Sequence, residues 1–226
     1  MKKVLIVETN VMRYGNTDEA TGLWLGETLE FVDELQKQNI AVDYVSPKGG
    51  FVPLDPRSLK YTDETIMNLY ENPDFIKRGL SQTLRPDQVD PDEYFAIYYT
   101  GGHGVMWDFP ENQELQSLAY SIYRQGGYLT SVCHGIAGLL NLQDEHGNYL
   151  ITGKKITGFT TTEEILAGKK SLVPFLNQEV AKTRGAKFSK KRFYSEYAVK
   201  DGQLITGQNP FSVRAVAKLL LAASTN

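Results

Sequence analysis

The sequence predicts an α/β fold with a mostly parallel sheet that is covered by helices on both faces. Strand patterns alternate with helical patterns along most of the chain. The first strand pattern, residues 4–7, is continuously apolar, as expected for a strand that is buried on both faces. A short apolar pattern at 127–132 leads directly into Cys133 and a helical pattern, which predicts a nucleophile elbow at the sheet edge.

The first half of the chain opens with a β-α-β pattern. Apolar residues recur at helical spacing over 23–35, and a second strand pattern at 40–46 ends before Pro47. A third strand is predicted at 94–100. The helical pattern that follows, at 111–124, is closed by two glycines.

Residues 48–92 differ from the rest of the chain. Five prolines and a Gly-Gly pair interrupt this segment, and only short helices are predicted in it, at 63–69 and 72–80. The segment is too long for a plain connection between two strands. We interpret it as a helical cap inserted near the active-site end of the sheet, within a single domain that spans residues 1–226.

The second half of the chain continues the alternation. We predict a strand at 151–159 that is interrupted by Gly153, and a helix at 175–184. Two short strand patterns around an Asp-Gly pair, 197–199 and 203–206, predict a hairpin. A final helix is expected at 211–223, with one apolar side packed on the sheet.

Composition excludes several classes of protein. The chain has 226 residues, a net charge of −3 and no basic stripe, which argues against a nucleic-acid partner. No apolar run approaches the roughly 20 residues of a membrane span, and the N-terminus is typical of a first strand rather than a signal peptide. One cysteine cannot form an internal disulfide, which favours a reducing, cytoplasmic location.

That cysteine, Cys133, is the first candidate for chemistry. It follows a predicted strand and is followed at once by His134 and Gly135. The N-terminus of the next helix would favour the thiolate, so the pattern predicts a nucleophile with a low pKa that oxidises readily. The alternative is a buried structural cysteine, because free cysteine is among the most buried residue types.

A Gly-Gly-His-Gly run at 101–104 ends the third predicted strand. Glycine lets the backbone approach a ligand closely, so N–H groups at Gly102 and His134 could point at a developing oxyanion. Gly101 and His103 belong to the same predicted substrate-binding edge. The alternative is a plain β-α turn that uses glycine.

Carboxylates near this edge are candidates for acid and base roles. Glu27 lies within an apolar helix face, between Trp24 and Phe31, where a buried carboxyl would have a raised pKa suited to proton transfer. The alternative is a solvated helix residue, which is what we expect of Glu30 and Glu34.

Glu163 and Glu164 are the candidates to orient the His134 ring. The alternative for both is an acid favoured at a helix N-terminus, and we prefer that interpretation for Glu163. His146 is assigned to a solvated loop. No two histidines show metal-ligand spacing on one helix, so we predict no metal site.

Several of these motifs resemble a known family. Residues 101–104 with Trp107-Asp108 after them, and residues 132–135 (Val-Cys-His-Gly), resemble the ThiJ/PfpI superfamily, which shares a fold with class I glutamine amidotransferases. Further features resemble its branch of small stress chaperones and glutathione-independent glyoxalases (glyoxalase III). They are Thr21-Gly22 before Glu27, residues 157–160 (Thr-Gly-Phe-Thr) before Glu164, and Asn209-Pro210 before the last helix.

The resemblance spans nearly the whole chain and implies a flavodoxin-like three-layer sandwich. It implies a nucleophile at Cys133, an adjacent histidine at His134, a buried acid at Glu27 and an orienting acid at Glu164. Trp107, which follows the glycine run, joins the predicted substrate-binding residues. Bacterial chaperones of this branch can carry a His/Glu metal site in an added segment. This chain has no histidine before residue 103, so that site should be absent.

Three functions remain open at this stage. The first is a cofactor-independent glyoxalase III that converts methylglyoxal to lactate through Cys133. The second is a cysteine amidase or peptidase, or a protein deglycase, because relatives carry those descriptions. The third is a stress chaperone or redox sensor that uses the same cysteine. The expected partner is a small aldehyde or carbonyl compound, and a homodimer is left open.

Overall fold

The computed structural model describes residues 3–224, and its centre is a six-stranded sheet in the order β2-β1-β3-β4-β8-β7. All neighbours in it are parallel except the β7-β8 hairpin, and a separate parallel pair joins β5 to β6. The strands are β1 (Lys3–Val7), β2 (Val42–Val45), β3 (Tyr94–Tyr99), β4 (Tyr128–Val132), β5 (Lys155–Ile156), β6 (Lys187–Phe188), β7 (Ala198–Asp201) and β8 (Leu204–Gly207).

Helices cover both faces of this sheet. The α-helices are α1 (Leu25–Gln36), α2 (Glu64–Tyr70), α3 (Pro73–Phe75), α4 (Val105–Asp108), α5 (Gln113–Arg124), α6 (Ala137–Leu140), α7 (Thr161–Leu166), α8 (Asn177–Thr183) and α9 (Val213–Ser224). Shorter helical segments are the 3₁₀ helices Ser58–Tyr61, Pro86–Gln88, Pro91–Glu93, Cys133–Ile136 and Pro210–Ser212, and the π-helix Ile76–Ser81.

The alternation of side chains along β1 explains its unbroken apolar run. Val4 and Ile6 pack on one face of the sheet, in the core cluster that contains apolar residues of α1 and α9. Leu5 and Val7 pack on the other face, in the cluster that contains residues of α5 and α6. The predicted α/β fold with a mostly parallel sheet between two helical layers is therefore confirmed.

The predicted strand at 151–159 is wrong over most of its length. Only β5 is extended, and it pairs with β6 rather than with the main sheet. Gly153 has a positive φ of 74° and its N–H donates to the Gly185 carbonyl, so the chain turns there before β5 begins. After β5, Thr157 is held to the main sheet through a hydrogen bond from its N–H to Thr206 Oγ1 (2.8 Å).

The segment at 48–92 lies beside the N-terminus of α1. The Leu23 N–H donates to the Pro53 carbonyl at 2.8 Å, and a Cβ at Gly22 would lie 2.3 Å from the same carbonyl oxygen. This close approach brings the 3₁₀ helix Ser58–Tyr61 next to the start of α1. The role of the segment as a cap stays a prediction.

Within residues 3–224, no helix combines the length and the apolar character that a membrane crossing requires. The cytoplasmic location stays a prediction.

Glu8 is a fully buried carboxyl at the end of β1. Its Oε1 accepts a hydrogen bond from Thr28 Oγ1 (3.0 Å), and its Oε2 has no hydrogen-bond partner among the described residues. Burial raises the pKa of Glu8 well above its ordinary value of 4.5, and the Thr28 hydroxyl offsets only part of this. The folded protein therefore keeps this proton to a higher pH than the unfolded chain does.

Glu8→Gln should flatten the pH dependence of stability. In the wild type this group favours folding fully below pH 4.5, and that contribution is lost as the pH rises toward the raised pKa. Gln keeps the neutral shape at every pH. We expect the melting temperature at pH 8 to rise by about 2 °C or more, with little change at pH 4, in scanning calorimetry. A melting temperature that falls at pH 8 would contradict a protonated Glu8.

Candidate active site

Cys133 sits at a sharp corner between β4 and the 3₁₀ helix that leads into α6. Its φ is 55°, a left-handed conformation that non-glycine residues seldom adopt. The turn packs tightly on β3, because a Cβ at Gly135 would lie 2.2 Å from the Tyr99 carbonyl oxygen. This is the nucleophile elbow that the sequence predicts, and it places the Cys133 side chain, 3% exposed, at the floor of a cavity.

The elbow brings Cys133 together with His134 and Glu164. His134 Nδ1 lies 3.3 Å from Cys133 Sγ, and His134 Nε2 lies 2.8 Å from Glu164 Oε2. Glu164 comes from the first turn of α7 and is buried. The structure therefore assembles the three residues that the sequence predicted as a Cys-His-acid arrangement, while their catalytic roles stay predictions.

A second histidine shares the same carboxylate. His103 Nε2 lies 2.8 Å from Glu164 Oε1, and the centroids of the His103 and His134 rings are 4.0 Å apart. Burial by itself would raise the pKa of Glu164, but the neighbouring His134 and His103 outweigh it and hold that pKa well below its ordinary value. Glu164 is therefore a carboxylate that only accepts, and both Nε2 atoms must carry a hydrogen.

Arg57 fixes the other side of His103. Its Nη2 lies 3.0 Å from His103 Nδ1, and because a guanidinium can only donate, this nitrogen must be an acceptor. Asp55, fully buried, holds the guanidinium through Nε (3.0 Å) and Nη2 (2.6 Å). His103 is therefore a neutral Nε2–H tautomer. Burial, the nearby His134 and the Arg57 charge lower its pKa to about 4, against the opposing effect of Glu164.

Sequence reasoning missed Arg57 and Asp55. Both lie in the proline-interrupted segment at 48–92, where no hydrophobic period marks a functional side chain. The one local signal is the Asp-Pro-Arg spacing, which allows an ion pair between residues two apart. His103 was predicted at the substrate edge, and it does line the cavity, but its ring nitrogens are both engaged by Glu164 and Arg57.

Glu27 lies beside Cys133 and is fully buried. Tyr98 Oη donates to the Glu27 backbone carbonyl (2.9 Å), and the Tyr98 ring stacks on Phe31, which fixes the first turn of α1 over the sheet. Burial raises the pKa of Glu27 well above 4.5, although the Cys133 side chain and the Gly101 backbone N–H act in the opposite direction. The raised pKa agrees with the expectation for a carboxyl poised for proton transfer.

The prediction that Cys133 has a low pKa is wrong. Burial raises the pKa of the thiol well above its ordinary value, and the Glu27 carboxyl beside it raises it further. The His134 backbone N–H acts in the opposite direction but is outweighed. The helical run that follows is short, one 3₁₀ turn (Cys133–Ile136) and the four residues of α6, so its dipole is small compared with the cost of dehydrating a thiolate.

Gly101 and Gly102 lie behind the nucleophile. A Cβ at Gly101 would come within 2.3 Å of Glu27 Oε2, and one at Gly102, where φ is 94°, within 2.1 Å of the Gly22 carbonyl oxygen. Only glycine fits at both positions, so the run serves this close packing. Neither glycine is among the described residues that line the cavity. The oxyanion role of Gly102 and His134 stays a prediction.

A cavity of about 550 Å³ lies above Cys133. Its floor holds Cys133, His134, His103 and Arg57, and its wall is largely apolar. The remaining residues around it are Trp24, Gly26, Glu30, Lys60, Tyr61, Phe159, Leu166, Ala167, Tyr194, Pro210 and Phe211.

Trp107, predicted as a substrate-binding residue, is absent from this wall. Its ring stands edge-on to the Tyr14 ring, with centroids 5.9 Å apart, and it approaches Gly15. The short helix α4 directs it toward the loop after β1 instead of the cavity. Trp24, at the N-terminus of α1, is the tryptophan that lines the cavity.

His103, His134 and Glu164 also form a group whose ligand atoms lie within 4.8 Å of one another, a set that could hold a metal ion. The histidine spacing in sequence did not predict this cluster. Metal binding at both Nε2 atoms would need the Nδ1–H tautomers. At His103 that hydrogen would face the Arg57 donor, so the tautomer that the structure sets opposes a metal at this group.

The other acids differ in their surroundings. Glu163 lies in the first turn of α7 and forms a capping box with Thr160, which agrees with the helix N-terminal role preferred for it. It is also fully buried and accepts hydrogen bonds from Tyr194 N, Gln208 and Asn209. Glu30 is not simply solvated, because it lines the cavity and burial raises its pKa to about 7, against the opposing effect of Arg214.

Glu34 is also less solvated than predicted, because its side chain is 12% exposed and pairs with Lys37 and with Arg214 of α9. His146 lies exposed in a loop, as predicted.

The fold and the site together define an α/β protein with a cysteine at a nucleophile elbow and a histidine-carboxylate pair beside it. The chain belongs to the DJ-1/PfpI family, whose model matches residues 21–223. This confirms the resemblance that the sequence motifs indicated.

Two curated relatives match the chain over nearly its whole length. It is 34% identical to the glutathione-independent glyoxalase HSP31 of Saccharomyces cerevisiae, with 100% of this chain and 99% of that protein covered. It is 31% identical to glyoxalase 3 of Candida albicans, with 99% and 98% covered.

Solved structures agree with these relatives. Rapid Encystment Protein 24 KDa of Francisella tularensis is 36% identical, with a TM-score of 0.95 and both chains fully covered. Glyoxalase III of Candida albicans is 28% identical, with a TM-score of 0.87, and 98% of this chain and 97% of that chain are covered. DJ-1beta of Drosophila melanogaster, at 19% identity and a TM-score of 0.63 with 100% and 92% covered, shares the fold.

Proposed function

We propose that this protein is a glyoxalase III that converts methylglyoxal to lactate without glutathione or another cofactor. The observation that carries the proposal is the contact between Cys133 Sγ and His134 Nδ1 at 3.3 Å, with the opposite ring nitrogen held by Glu164, at the floor of a cavity. The names of the relatives at 31–34% identity support the same reaction.

The first step is addition of the thiol to the aldehyde. Because the Cys133 pKa is raised, the sulfur carries its proton at neutral pH and needs a base to remove it. His134 Nδ1, the unprotonated nitrogen of the tautomer set by Glu164, accepts this proton as the bond from sulfur to C1 forms. The proton then passes to the C1 oxygen, and a hemithioacetal results.

The second step moves a proton between two carbons. His134 removes the C1 hydrogen, the electron pair forms an enediol, and a proton returns to C2. C1 is oxidised to the level of a thioester and C2 is reduced to an alcohol, so no external oxidant or reductant is required. Glu27, protonated beside the sulfur, acts as the acid for that sulfur: it gives up its proton as charge develops there when the bond from carbon to sulfur breaks in the last step, and it is reprotonated by the proton that the attacking water loses.

The last step is hydrolysis. Water attacks the thioester carbon, the bond from carbon to sulfur breaks, and the sulfur takes back its proton. Lactate leaves and the Cys133 thiol is regenerated. The net reaction consumes methylglyoxal and one water.

Arg57 and His103 support this chemistry without meeting the reacting carbons. The guanidinium fixes the His103 tautomer, and His103 then donates to Glu164 alongside His134. With the other tautomer, the His103 Nε2 lone pair would face the Glu164 lone pairs, and the carboxylate would move or take up a proton. Arg57 is therefore a positioning residue for Glu164 and, through it, for the base.

Arg57→Lys should lower kcat by about 10- to 100-fold, since small misplacements of a catalytic group have costs of this size. A lysine keeps the charge, but its donors share one nitrogen, so it lacks the planar fork with which Arg57 holds Asp55 through Nε and Nη2 while it contacts His103. ¹⁵N NMR should show His103 leaving the pure Nε2–H tautomer. Arg85→Lys, on the same segment at an exposed pair with Asp87, is the matched control and should change neither measurement. If the His103 ¹⁵N spectrum is unchanged in Arg57→Lys, Arg57 does not set the His103 tautomer and is not a positioning residue for Glu164.

The proposed function is tested with the wild-type protein and methylglyoxal in the presence of a chelator and without glutathione. We expect lactate of one dominant chirality, and a lactoyl adduct on Cys133 in mass spectra of acid-quenched samples. Amide and glycated-peptide substrates belong in the same assay. Hydrolysis of these without lactate formation would favour the amidase or deglycase alternatives and overturn the proposal.

The redox-sensor alternative is disfavoured by the raised pKa of Cys133. Oxidants react with the thiolate, which is a small fraction of this buried sulfur at neutral pH.

A further inference from the structure

The cavity above Cys133 is much larger than methylglyoxal needs. Its volume of about 550 Å³ falls in the range of roughly 300–1,000 Å³ that is typical of sites for drug-sized ligands. Methylglyoxal has only three carbons, and its two carbonyls account for the polar floor at Cys133 and His134. Most of the cavity is left without a role in the reaction proposed above.

The part of the cavity that methylglyoxal does not need is lined by aromatic rings, each of which neighbours the next. Phe159 lies on the His134 ring with centroids 4.2 Å apart, Tyr194 is 6.4 Å from Phe159, and Phe211 is 6.3 Å from Tyr194. We call Phe159, Tyr194 and Phe211 the aromatic track. It leads from the base at the floor to the mouth of the cavity.

The aromatic track is held in place rather than loosely packed. Tyr194 has a φ of 54°, and its N–H donates to the buried Glu163 carboxyl at 2.8 Å. Phe211 follows Pro210, and its N–H donates to Asn209 Oδ1 (3.1 Å), whose amide also bonds Glu163. Glu163 therefore fixes two residues of the track, which gives this buried acid a purpose that capping α7 alone does not explain.

The outer part of the track is exposed. Phe211 is 52% exposed and Tyr194 is 40% exposed, although both are large apolar groups. Leu166 and Tyr61 stand around the same mouth and are also exposed. A fixed apolar surface that continues a reactive floor is suited to bury an apolar part of the substrate.

We propose that the favoured substrates are α-oxoaldehydes whose keto carbon carries a longer alkyl or aryl group in place of methyl. The dicarbonyl head reacts at Cys133 and the apolar group lies along the aromatic track. This inference rests on the proposed function for the chemistry of the head, and it extends that function by naming the substituent.

The test compares methylglyoxal, n-butylglyoxal and n-hexylglyoxal by the formation of the corresponding 2-hydroxy acids. We expect kcat/KM to rise about two- to fourfold for each added methylene, mainly through KM, because a fully buried methylene is worth about 0.8 kcal/mol, a fourfold effect, and the mouth is partly open. Phe211→Ala should reduce the preference for hexyl over methyl by about tenfold. Phe51→Ala, an exposed aromatic outside the cavity wall, is the control and should keep the preference.

A second measurement does not depend on turnover. Acetophenone should protect Cys133 from iodoacetamide at a much lower concentration than acetone, and Phe211→Ala should weaken this protection. Equal kcat/KM for the three glyoxals, with equal protection by the two ketones, would overturn the inference and leave the proposed function standing. Selective protection without any hydroxy acid would support the apolar subsite and overturn the glyoxalase reaction.

Discussion

Replacing Glu164 by Gln is expected to lower kcat for methylglyoxal by about 10²- to 10⁴-fold with little change in KM. Gln presents one oxygen and one NH₂ group where the carboxylate accepts from both His134 and His103. The NH₂ group would face an Nε2–H, so one histidine must turn or change tautomer. An imidazole in the wrong tautomer cannot accept the thiol proton, and the loss of such an orienting carboxylate in other enzymes has effects of this size.

Glu163→Gln is the matched control, one residue earlier in the same turn of α7. Glu163 touches neither histidine and accepts its hydrogen bonds from Thr160, Tyr194, Gln208 and Asn209. We expect it to lower the melting temperature more than Glu164→Gln does while the folded fraction keeps most of its methylglyoxal turnover. Glu164→Gln with normal kcat and lowered stability would reduce Glu164 to a helix-capping acid.

Glu27→Gln is expected to lower kcat by about 10²- to 10⁴-fold, the contribution of a positioned acid or base. The amide keeps the shape beside Cys133 but cannot release a proton to the developing charge. Although Glu27→Gln lowers kcat, it should raise the free energy of unfolding at high pH. Because the folded pKa is raised above 4.5, ionisation of Glu27 opposes folding as the pH rises, and the neutral amide removes this effect.

Kinetics and thermal melting together distinguish a catalytic role of Glu27 from a structural one. Steady-state kinetics should show the loss, while thermal melting at pH 8 should show a protein at least as stable as the wild type. Glu34→Gln, in the last turn of the same helix and paired with Arg214 of α9, should leave kcat unchanged. A Glu27→Gln enzyme with wild-type kcat and an unchanged pH profile would return Glu27 to a structural role.

The parts of the fold that the sequence predicts well are those specified by nearby residues. The apolar run of β1 and the helical spacing of α1 are local patterns, and both elements were placed within two residues. The strand predicted at 151–159 failed because its apolar residues are split by turns, and the choice of a pairing partner depends on a distant segment, β6. Trp107 was likewise assigned from its neighbours in sequence, although its direction is set by α4 and Tyr14.

The candidate site divides in the same way. The sequence by itself identified the elbow at Cys133, the adjacent His134, the buried acid Glu27 and the acid Glu164, because the motifs and their resemblance to a family mark these residues. The contact between Glu164 and His134 joins residues 30 apart at one edge of the sheet. The sequence indicated that the two should meet there, and the fold supplied the geometry.

Only the tertiary structure decided the protonation of the site and the shape above it. The raised pKa of Cys133 follows from the burial of the sulfur and from the Glu27 carboxyl, which is supplied by a different helix. The tautomer of His103 follows from Arg57, a residue of the proline-interrupted segment 46 positions away. The aromatic track joins residues from three separate segments. Burial and hydrogen-bond direction are sums over groups that meet only when the chain is folded, so no local pattern of residues contains them.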